Sequence, residues 1–556
     1  MRGKRDQKSN RRVKQKRPRP AGGKALLRLF AFLAPRDRSL NNELIERIVI
    51  PNATIPKFAL PKETAASRAA RILATASRKR GTRRASKSLA TALSKAAKAL
   101  SERPMARART ATDPVWQSIG PTSIPNGQTY GRNRIDVAGR LAAIAVDPGD
   151  PKHILVGAAC GGIWESFDEG ANWAPRTDQM PTLAIGAIAF DASDSKRVYA
   201  GSGEGNAFYT LGAGVYVSTD GGTNWTVLAS EPFVGTGFYD LAVDPAVPAT
   251  LYAATTEGFY KSTNRGSSWS RKRAGQCWKI SIHPTGGKTE ILAAFADGVF
   301  ASTNAGDAFS AAVLPALPGT DWTRLAVDRV AAAPDVAYAF GVLDKRVHLW
   351  RRSGADWTKV LGLPEMDVEQ AWYDWFVATA PDNQRQVYLG AIDTWRGDKK
   401  NETWTWRNIT TQGANSIHPD QHCLAFSPGD SKVIYAGNDG GLYRSANSGK
   451  SWKSLNKGLG ITEIEYMASN PGTWKWLIAG TQDNGTLRFT GSSVWDHIAD
   501  GDGGDCGINK INPNIVYHSF YDVTLERSDN KGNSWTDLNP PSDYSLFYPP
   551  VEVAGQ

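Results

Sequence analysis

The chain has 556 residues, of which 41% are hydrophobic and 22% charged, a composition typical of a folded globular protein. Its net charge of +12 is uneven, because residues 1–110 hold 30 lysines and arginines against 6 acidic residues, whereas the other 446 residues hold 36 against 48. The isoelectric point of the whole chain therefore says nothing about partners of the larger, acidic part. Four scattered cysteines exclude a disulfide framework and favour buried thiols.

Residues 1–110 are predicted to be a basic, low-complexity extension that is disordered or partly helical. The apolar run at residues 24–34 is too short for a membrane span and is interrupted by Arg28, and no convincing signal peptide or transmembrane segment follows. Residues 89–100 have the spacing of an amphipathic helix with a cationic face. Three roles fit this extension: a solvated tail, a targeting segment that is removed, or a segment that contacts nucleic acid or an anionic membrane surface non-specifically.

Residues 112–556 are dominated by an eight-residue phrase, Ser-x-Asp/Asn-x-Gly-x-x-Trp/Phe, which recurs six times. Each copy predicts a hairpin turn in which the Asp or Asn side chain bonds amides of the turn and the closing aromatic residue anchors it to a core. These residues are therefore predicted to be structural. In chain order the six pairs are Asp168 with Trp173, Asp220 with Trp225, Asn264 with Trp269, Asn304 with Phe309, Asn447 with Trp452, and Asn530 with Trp535.

Each phrase follows two short strands, the first ending near an Asp-Pro pair such as Asp147-Pro148. Nine such units recur at about 46 residues each, the length of a propeller blade. The prediction is an all-β protein, a β-propeller of four-stranded blades with almost no helix after Asp113. The nine units form either one large ring or a seven-bladed ring followed by part of a second. Residues 548–556 are predicted to begin a further unit, which leaves truncation of the propeller at that end as one alternative.

Polar residues outside the repeated phrase are expected where loops meet the mouth of the central channel. They are the candidate binding residues of the chain, and in chain order they are Glu204, Asn206, Asp240, Asp374, His418, Asp420, His422, Asp439, Asp483, Asn484, Asp500 and Asp502. Trp372, Trp375 and Trp395 also fall outside the phrase. They are predicted to form a platform for carbohydrate or peptide, or else to pack between blades.

The segment His418-Pro-Asp420-Gln-His422 enters a predicted strand, so that alternate residues share one face. His418, Asp420 and His422 are therefore candidate ligands of a divalent metal ion, with a hydrogen-bonded loop as the alternative. The acidic run at residues 500–505 lacks the spacing of an EF-hand loop, and the chain has no zinc-ligand spacing of known pattern.

The repeated phrase resembles the Asp-box, or BNR repeat, of microbial sialidases, xyloglucan-hydrolysing glycosidases, sortilin-type receptors and photosystem assembly factors, all of which are β-propellers. The Phe/Tyr-Arg-Ile-Pro element of sialidases is missing from the chain. The resemblance to xyloglucan hydrolases implies a catalytic Asp just before the Gly-Gly pair of the first blade. Here that pair is Gly161-Gly162, and the matching position is Ala159.

These features predict a non-catalytic binding or scaffold protein that recognises a protein or glycan partner at the channel mouth. The basic extension would add a second, electrostatic contact. The alternative is a divergent glycoside hydrolase that uses Asp374, Asp420 or Asp483, since glycoside hydrolysis needs a pair of carboxyl groups. The resemblance alone favours an extracellular or cell-envelope location.

Overall fold

The structure is a computed structural model that describes residues 117–553 apart from 132, 208–209, 313, 315–321, 412–415, 523 and 541–545. The extension predicted for residues 1–110 lies outside this range. The described residues form 38 strands and no helix, which confirms the all-β prediction. The described residues accordingly contain no helix that is long and apolar enough to cross a membrane.

Thirty-six of the strands form nine four-stranded antiparallel sheets, each built from consecutive strands. Blades 1 to 3 comprise β3 (Leu141–Asp147), β4 (Asp150–Ala158), β5 (Gly162–Ser166) and β6 (Ala174–Pro175); β7 (Ile185–Phe190), β8 (Val198–Ser202), β9 (Val215–Ser218) and β10 (Thr226–Ala229); and β11 (Phe238–Val243), β12 (Leu251–Thr255), β13 (Gly258–Ser262) and β14 (Ser270–Ala274). Blades 4 to 6 comprise β15 (Cys277–Thr285), β16 (Lys288–Phe295), β17 (Gly298–Ser302) and β18 (Ser310–Ala311); β19 (Arg324–Val330), β20 (Ala333–Leu343), β21 (Arg346–Ser353) and β22 (Asp356–Lys359); and β23 (Phe376–Thr379), β24 (Gln386–Gly390), β25 (Thr394–Lys400) and β26 (Thr403–Asn408).

The remaining blades follow the same order. Blades 7 to 9 comprise β27 (Gln421–Ser427), β28 (Asp430–Asn438), β29 (Gly441–Ser445) and β30 (Lys453–Ser454); β31 (Tyr466–Ser469), β32 (Leu477–Thr481), β33 (Gly485–Phe489) and β34 (Asp496–Ala499); and β35 (Cys506–Ile508), β36 (Val516–Ser519), β37 (Leu525–Ser528) and β38 (Thr536–Asp537). Two short strands precede blade 1 and pair with each other, β1 (Ile124–Gly127) and β2 (Ile135–Val137).

In several blades the second strand is completely buried, because it is covered on both faces by neighbouring blades. β8, β12, β24 and β32 are buried at every position, and their sequences are continuous runs of small and apolar residues. The first strand shows the alternation of a surface that is covered on one side, as in β3. The cores therefore lie between adjacent blades. One of them joins Tyr338 of blade 5 to Val387 of blade 6.

The seven blades from blade 1 to blade 7 form a closed ring. β27 of blade 7 packs directly against β3 of blade 1, and one core cluster contains Leu141 and Val156 from blade 1 together with Tyr435 and Leu442 from blade 7. Blades 8 and 9 lie outside this ring and pack on each other through β31 and β35. Of the two predicted architectures, the seven-bladed ring followed by part of a second is therefore the one that forms.

The segment at the start of the described range lies against blade 8, and the segment at its end lies against blade 9. Ser123, just before β1, forms an isolated parallel bridge with Val494, and its carbonyl accepts a 3.1 Å hydrogen bond from the amide of Trp495 in blade 8. Near the other end, the amide of Val551 donates to the Asp505 carboxylate at 2.8 Å, beside β35. Residues 548–553 thus lie where a further strand was predicted, although they form no regular strand there.

The repeated phrase forms a compact turn. The Ser218 hydroxyl donates to the Asp220 carboxylate at 2.8 Å and accepts from the Gly222 amide at 2.8 Å, while the Asn224 amide donates to Asp220 at 2.9 Å. The indole of Trp225 donates to the Gly222 carbonyl at 2.6 Å and is buried between blades 1 and 2. The turn thus ties the third strand of a blade to the fourth and inserts an aromatic ring between blades.

Candidate functional site

Three carboxylates meet where blade 7 of the ring adjoins blade 8. Asp420 directly precedes β27, Asp439 lies in the turn between β28 and β29, and Asp483 lies in the turn between β32 and β33. One carboxylate oxygen from each lies within 4.8 Å of the other two. We call this group, Asp420 with Asp439 and Asp483, the acidic junction.

Two of the three residues have unusual backbone conformations. Asp420 has φ of 61° and Asp483 has φ of 65°, both in the left-handed region, which Asp adopts more readily than most residues. The amide of Asp420 donates to the Ile392 carbonyl at 2.9 Å, which fixes the loop against blade 6. The left-handed conformation interrupts the extended alternation that the sequence predicted for residues 418–422.

Asp439 differs from the other two members of the acidic junction because its pKa is lowered. Its carboxylate accepts hydrogen bonds from the Tyr373 hydroxyl at 2.9 Å and from the His422 ring at 2.7 Å, and its side chain is almost completely buried. Burial opposes ionisation, but the charge and hydrogen bond of His422, together with the charges of Arg140 and His418, lower the pKa of Asp439 below its usual value.

Asp420 and Asp483 behave in the opposite way. Burial and the negative charges of Asp439 and Asp502 raise the pKa of both carboxyls well above the usual value. The Asp420 carboxylate accepts one hydrogen bond, from the Gln370 amide at 3.0 Å. Asp502, which precedes β35, also has a raised pKa, due mainly to burial. Blades 7, 8 and 9 therefore bring together more carboxyl groups than can all be ionised at once without compensation.

Two further buried polar groups adjoin the acidic junction. Asp374 is 0% exposed, and in the described part of the chain neither of its carboxylate oxygens has a hydrogen-bond partner on another residue. Burial, then the charges of Asp420 and Asp439, raise its pKa well above the usual value. Asn484 donates its side-chain amide to the Asp439 carbonyl at 2.9 Å, while its buried side-chain oxygen has no hydrogen-bond partner among the described residues.

The metal-ligand set predicted from alternation does not come together. The two ring nitrogens of His418 face the carbonyl oxygens of Pro419 at 3.1 Å and Asp483 at 2.8 Å, so neither is directed at the carboxylates. His422 uses one ring nitrogen to bind Asp439. Of these three candidates only Asp420 belongs to the group of oxygen ligands, and its partners there are Asp439 and Asp483.

Exposed aromatic side chains flank the acidic junction. Trp372 is 42% exposed, and its ring lies 5.4 Å from that of Tyr373, which binds Asp439. Tyr130, in the turn between β1 and β2, is 66% exposed, yet surrounding atoms and the charges of Asp420 and Asp483 raise the pKa of its phenol. Sequence reasoning missed Tyr130 because it lies outside the repeats; its only signal was an aromatic residue in a predicted turn.

The predicted tryptophan platform is otherwise taken up by packing. The Trp375 ring stacks on Phe340 at 4.1 Å and donates to the Phe340 carbonyl at 3.1 Å, which buries it between blades 5 and 6. Trp395 packs against the same core. Trp372 is the member of the three that is free to contact a ligand.

Other candidate residues lie in the channel of the ring or at the surface. Asp240 pairs with Lys279 at 2.9 Å in a cavity of about 160 Å³, which Asn206 and His422 also line. Glu204 pairs with Arg140 at 3.3 Å. Because His422 borders the cavity and also binds Asp439, the channel and the acidic junction are neighbours.

Two positions that the sequence singled out lie apart from the carboxylate group. Asp500 forms a two-pronged, partly exposed ion pair with Arg134, and that hydrogen bond lowers its pKa. Ala159, at the position where the resemblance implies a catalytic carboxylate, is buried after β4 and donates its amide to the Arg140 carbonyl at 3.2 Å.

No protein-family model matches the chain. It is 28% identical over 168 residues to a xyloglucanase from Acetivibrio thermocellus, a match that covers 23% of this chain and 19% of that enzyme. The chain thus matches about a fifth of the length of this curated relative.

Among solved structures, the chain is similar to the GH74 xyloglucanase from Xanthomonas campestris, with a TM-score of 0.58, 16% identity, and coverage of 76% of this chain and 70% of that one. The GH74 enzyme from Niastella koreensis gives a TM-score of 0.56 and 17% identity, with coverage of 76% and 69%. At these identities the likeness shows the fold. That fold is a β-propeller.

Proposed function

We propose that this propeller binds a neutral polysaccharide where blade 7 meets blade 8, and that it does so without cleaving it. The observation that carries the proposal is the exposure of Trp372 and Tyr130 beside the acidic junction. Aromatic faces pack against the apolar faces of sugar rings, and carboxylates accept hydrogen bonds from sugar hydroxyls. The xyloglucanase relatives give independent support for a glycan as the ligand.

The charge of the site favours a neutral glycan over an acidic one. Asp374, Asp420, Asp439, Asp483 and Asp502 lie close enough to perturb one another's ionisation. A uronic acid or sialic acid brought to the same place would add like charge, which is costly across an interface. We therefore expect a hydroxyl-rich, uncharged chain to be selected.

Burial of the carboxylates supports binding over hydrolysis. A glycosidase needs two carboxyl groups that reach opposite sides of one bond. Asp374 is completely buried, and Asp439 is held by Tyr373 and His422. Ala159 supplies no carboxylate at the position where the resemblance implies one.

Hydrolysis is the second candidate, and one specific observation favours it. The pKa of Asp483 is raised while that of Asp439 is lowered, which is the pattern of a proton donor beside an ionised carboxylate. Asp483 is partly exposed, so it is the residue that would protonate a glycosidic oxygen.

Affinity electrophoresis of the full chain tests the proposal, using gels that contain xyloglucan, mixed-linkage β-glucan or polygalacturonate, combined with chromatography of the soluble products. We expect salt-resistant retardation in at least one neutral-glycan gel and no new products. Polygalacturonate should retard the chain only at low salt, through the basic residues 1–110. If the wild-type chain forms new products and Asp483→Asn does not, hydrolysis is the function and the binding proposal is wrong. Neither salt-resistant retardation nor products with any glycan would overturn the proposal.

We further propose that residues 1–110 make an electrostatic contact with an anionic partner, and that the protein acts outside the cell or in the cell envelope. Support for the contact is the excess of 30 basic over 6 acidic residues in this segment. Support for the location is the resemblance to polysaccharide-degrading propellers.

A further inference from the structure

We propose that Asp420, Asp439 and Asp483 hold one divalent cation of the calcium class, which links blade 7 of the ring to blade 8. The cation site adjoins the glycan contact at Trp372 and Tyr130, but the cation would bind the three carboxylates whether or not a glycan is present. Its ligands are all carboxylate oxygens, whereas the sequence predicted His418 and His422 as ligands beside Asp420.

The spacing of the ligand atoms fits a single ion. The three carboxylate oxygens lie within 4.8 Å of one another. Calcium binds oxygen at about 2.3–2.6 Å, so ligands on opposite sides of the ion are roughly 4.6–5.2 Å apart. The upper limit of 4.8 Å is thus compatible with one Ca²⁺ that contacts an oxygen of each residue.

The protein supplies little positive charge to two of the three carboxylates, Asp420 and Asp483. Among the described residues no lysine or arginine forms an ion pair with Asp420 or Asp483, and the Asp420 carboxylate accepts its one hydrogen bond from the neutral amide of Gln370. Asp439 differs, because it is paired with His422 and the charges of Arg140 and His418 also act on it. Buried carboxylates are normally paired or bound to metal, because an uncompensated buried charge is costly.

Independent evidence for a ligand comes from two buried groups at the edge of the site. The side-chain oxygen of Asn484 has no hydrogen-bond partner in the described part of the chain, although its amide nitrogen is fixed on the Asp439 carbonyl. Asp374 is completely buried, lies in the field of Asp420 and Asp439, and finds no hydrogen bond from another described residue. Polar oxygens left in this state are those that a bound cation would satisfy directly or through its field.

The donor set indicates which cation. Carboxylate and amide oxygens are hard ligands that suit calcium, magnesium and manganese, whereas zinc and copper prefer imidazole or thiolate. The ring nitrogens of His418 are directed at carbonyl oxygens rather than at the carboxylates. We therefore expect Ca²⁺ to bind in preference to Zn²⁺.

Isothermal titration of the chelator-treated full chain with CaCl₂ tests this inference, together with Tb³⁺ luminescence sensitised by Tyr373, whose hydroxyl contacts Asp439. We expect one Ca²⁺ per chain, bound at or below about 1 mM, the weak end of protein calcium sites. Tb³⁺ emission should appear and should be displaced by Ca²⁺. A wild-type chain that gives neither signal would overturn the inference.

Matched variants locate the ion. Asp483→Asn should weaken Ca²⁺ binding by at least about tenfold, because it removes a charged ligand while preserving shape. The control is Asp297→Asn in blade 4, where Asp297 forms an exposed ion pair with Arg273 of blade 3. This variant should bind Ca²⁺ as the wild type does. Equal loss in both variants, or none in Asp483→Asn, would contradict the assignment.

Two further measurements keep the test decisive. Asp420→Asn serves as a second ligand variant if Asp483→Asn fails to fold, with folding of each checked by circular dichroism in chelator. Glycan affinity is measured on the same preparations with and without Ca²⁺. If the wild-type chain binds Ca²⁺ but binds glycan neither with nor without it, only the proposed function is overturned. If the chain binds glycan but not Ca²⁺, only the cation site is overturned.

Discussion

Replacement of Trp225 by alanine tests whether the repeated phrase stabilises the propeller rather than serving the ligand site. The indole is 6% exposed, and it packs in the core between blades 1 and 2 with Leu155 and Tyr216. Its ring nitrogen also donates to the Gly222 carbonyl at 2.6 Å. The substitution therefore removes a large buried ring and leaves a buried acceptor without its donor.

The expected loss is about 4 kcal/mol of unfolding free energy, within the range of roughly 3–5 kcal/mol for Trp→Ala changes in cores. Against a typical total of about 5–15 kcal/mol, the variant should remain folded but with a much lower urea midpoint. Urea unfolding followed by far-ultraviolet circular dichroism measures this without depending on the fluorescence of the tryptophan that was removed.

Trp474→Ala is the matched control, because this tryptophan is 66% exposed on blade 8. We expect it to lose less than about 1 kcal/mol, as for other surface changes. Equal losses in the two variants, or a loss below about 1 kcal/mol for Trp225→Ala, would refute the reasoning. So would a folded Trp225→Ala protein that selectively lost glycan binding.

Three further outcomes are expected. Asp220→Ala should cost about 1–3 kcal/mol, because it removes hydrogen bonds to a charged turn residue, and urea midpoints measure it. Deletion of residues 1–110 should leave a cooperative thermal transition, and its absence in calorimetry would show that the extension belongs to the core. Burial, Glu463 and Asp502 raise the pKa of Glu465 from 4.5 to about 7, so its contribution to stability is present below pH 4.5 and is lost as the pH rises to about 7. The melting temperature of Glu465→Gln should accordingly fall less over that interval than that of the wild type, and identical slopes would contradict the assignment.

The blades were predictable from the sequence because each is specified locally. Strand, turn and repeated phrase recur within about 46 residues, and hydrogen bonds of the phrase join residues two to four positions apart. Closure of the ring was not predictable, since β27 packs on β3 from a distant part of the chain and every blade presents similar apolar faces. Local sequence therefore does not determine which blade closes the ring.

The sequence named candidate site residues one by one but could not predict how they group. Asp420, Asp439 and Asp483 were each expected at a rim, yet their meeting depends on where blade 8 leaves the ring. The histidine ligands failed as a set because the left-handed conformation of Asp420 breaks the alternation on which they rested. Trp375 was indistinguishable from Trp372 by sequence, and only packing on Phe340 separates them.

The most direct test of glycan binding at this site compares Trp372→Ala with Trp474→Ala for affinity toward the polysaccharide that retards the wild type most. Both remove an exposed tryptophan, but only Trp372 lies beside the acidic junction. We predict about a tenfold loss of affinity, roughly 1.4 kcal/mol, for Trp372→Ala and none for Trp474→Ala. Unchanged affinity in Trp372→Ala, or an equal loss in both variants, would contradict the account.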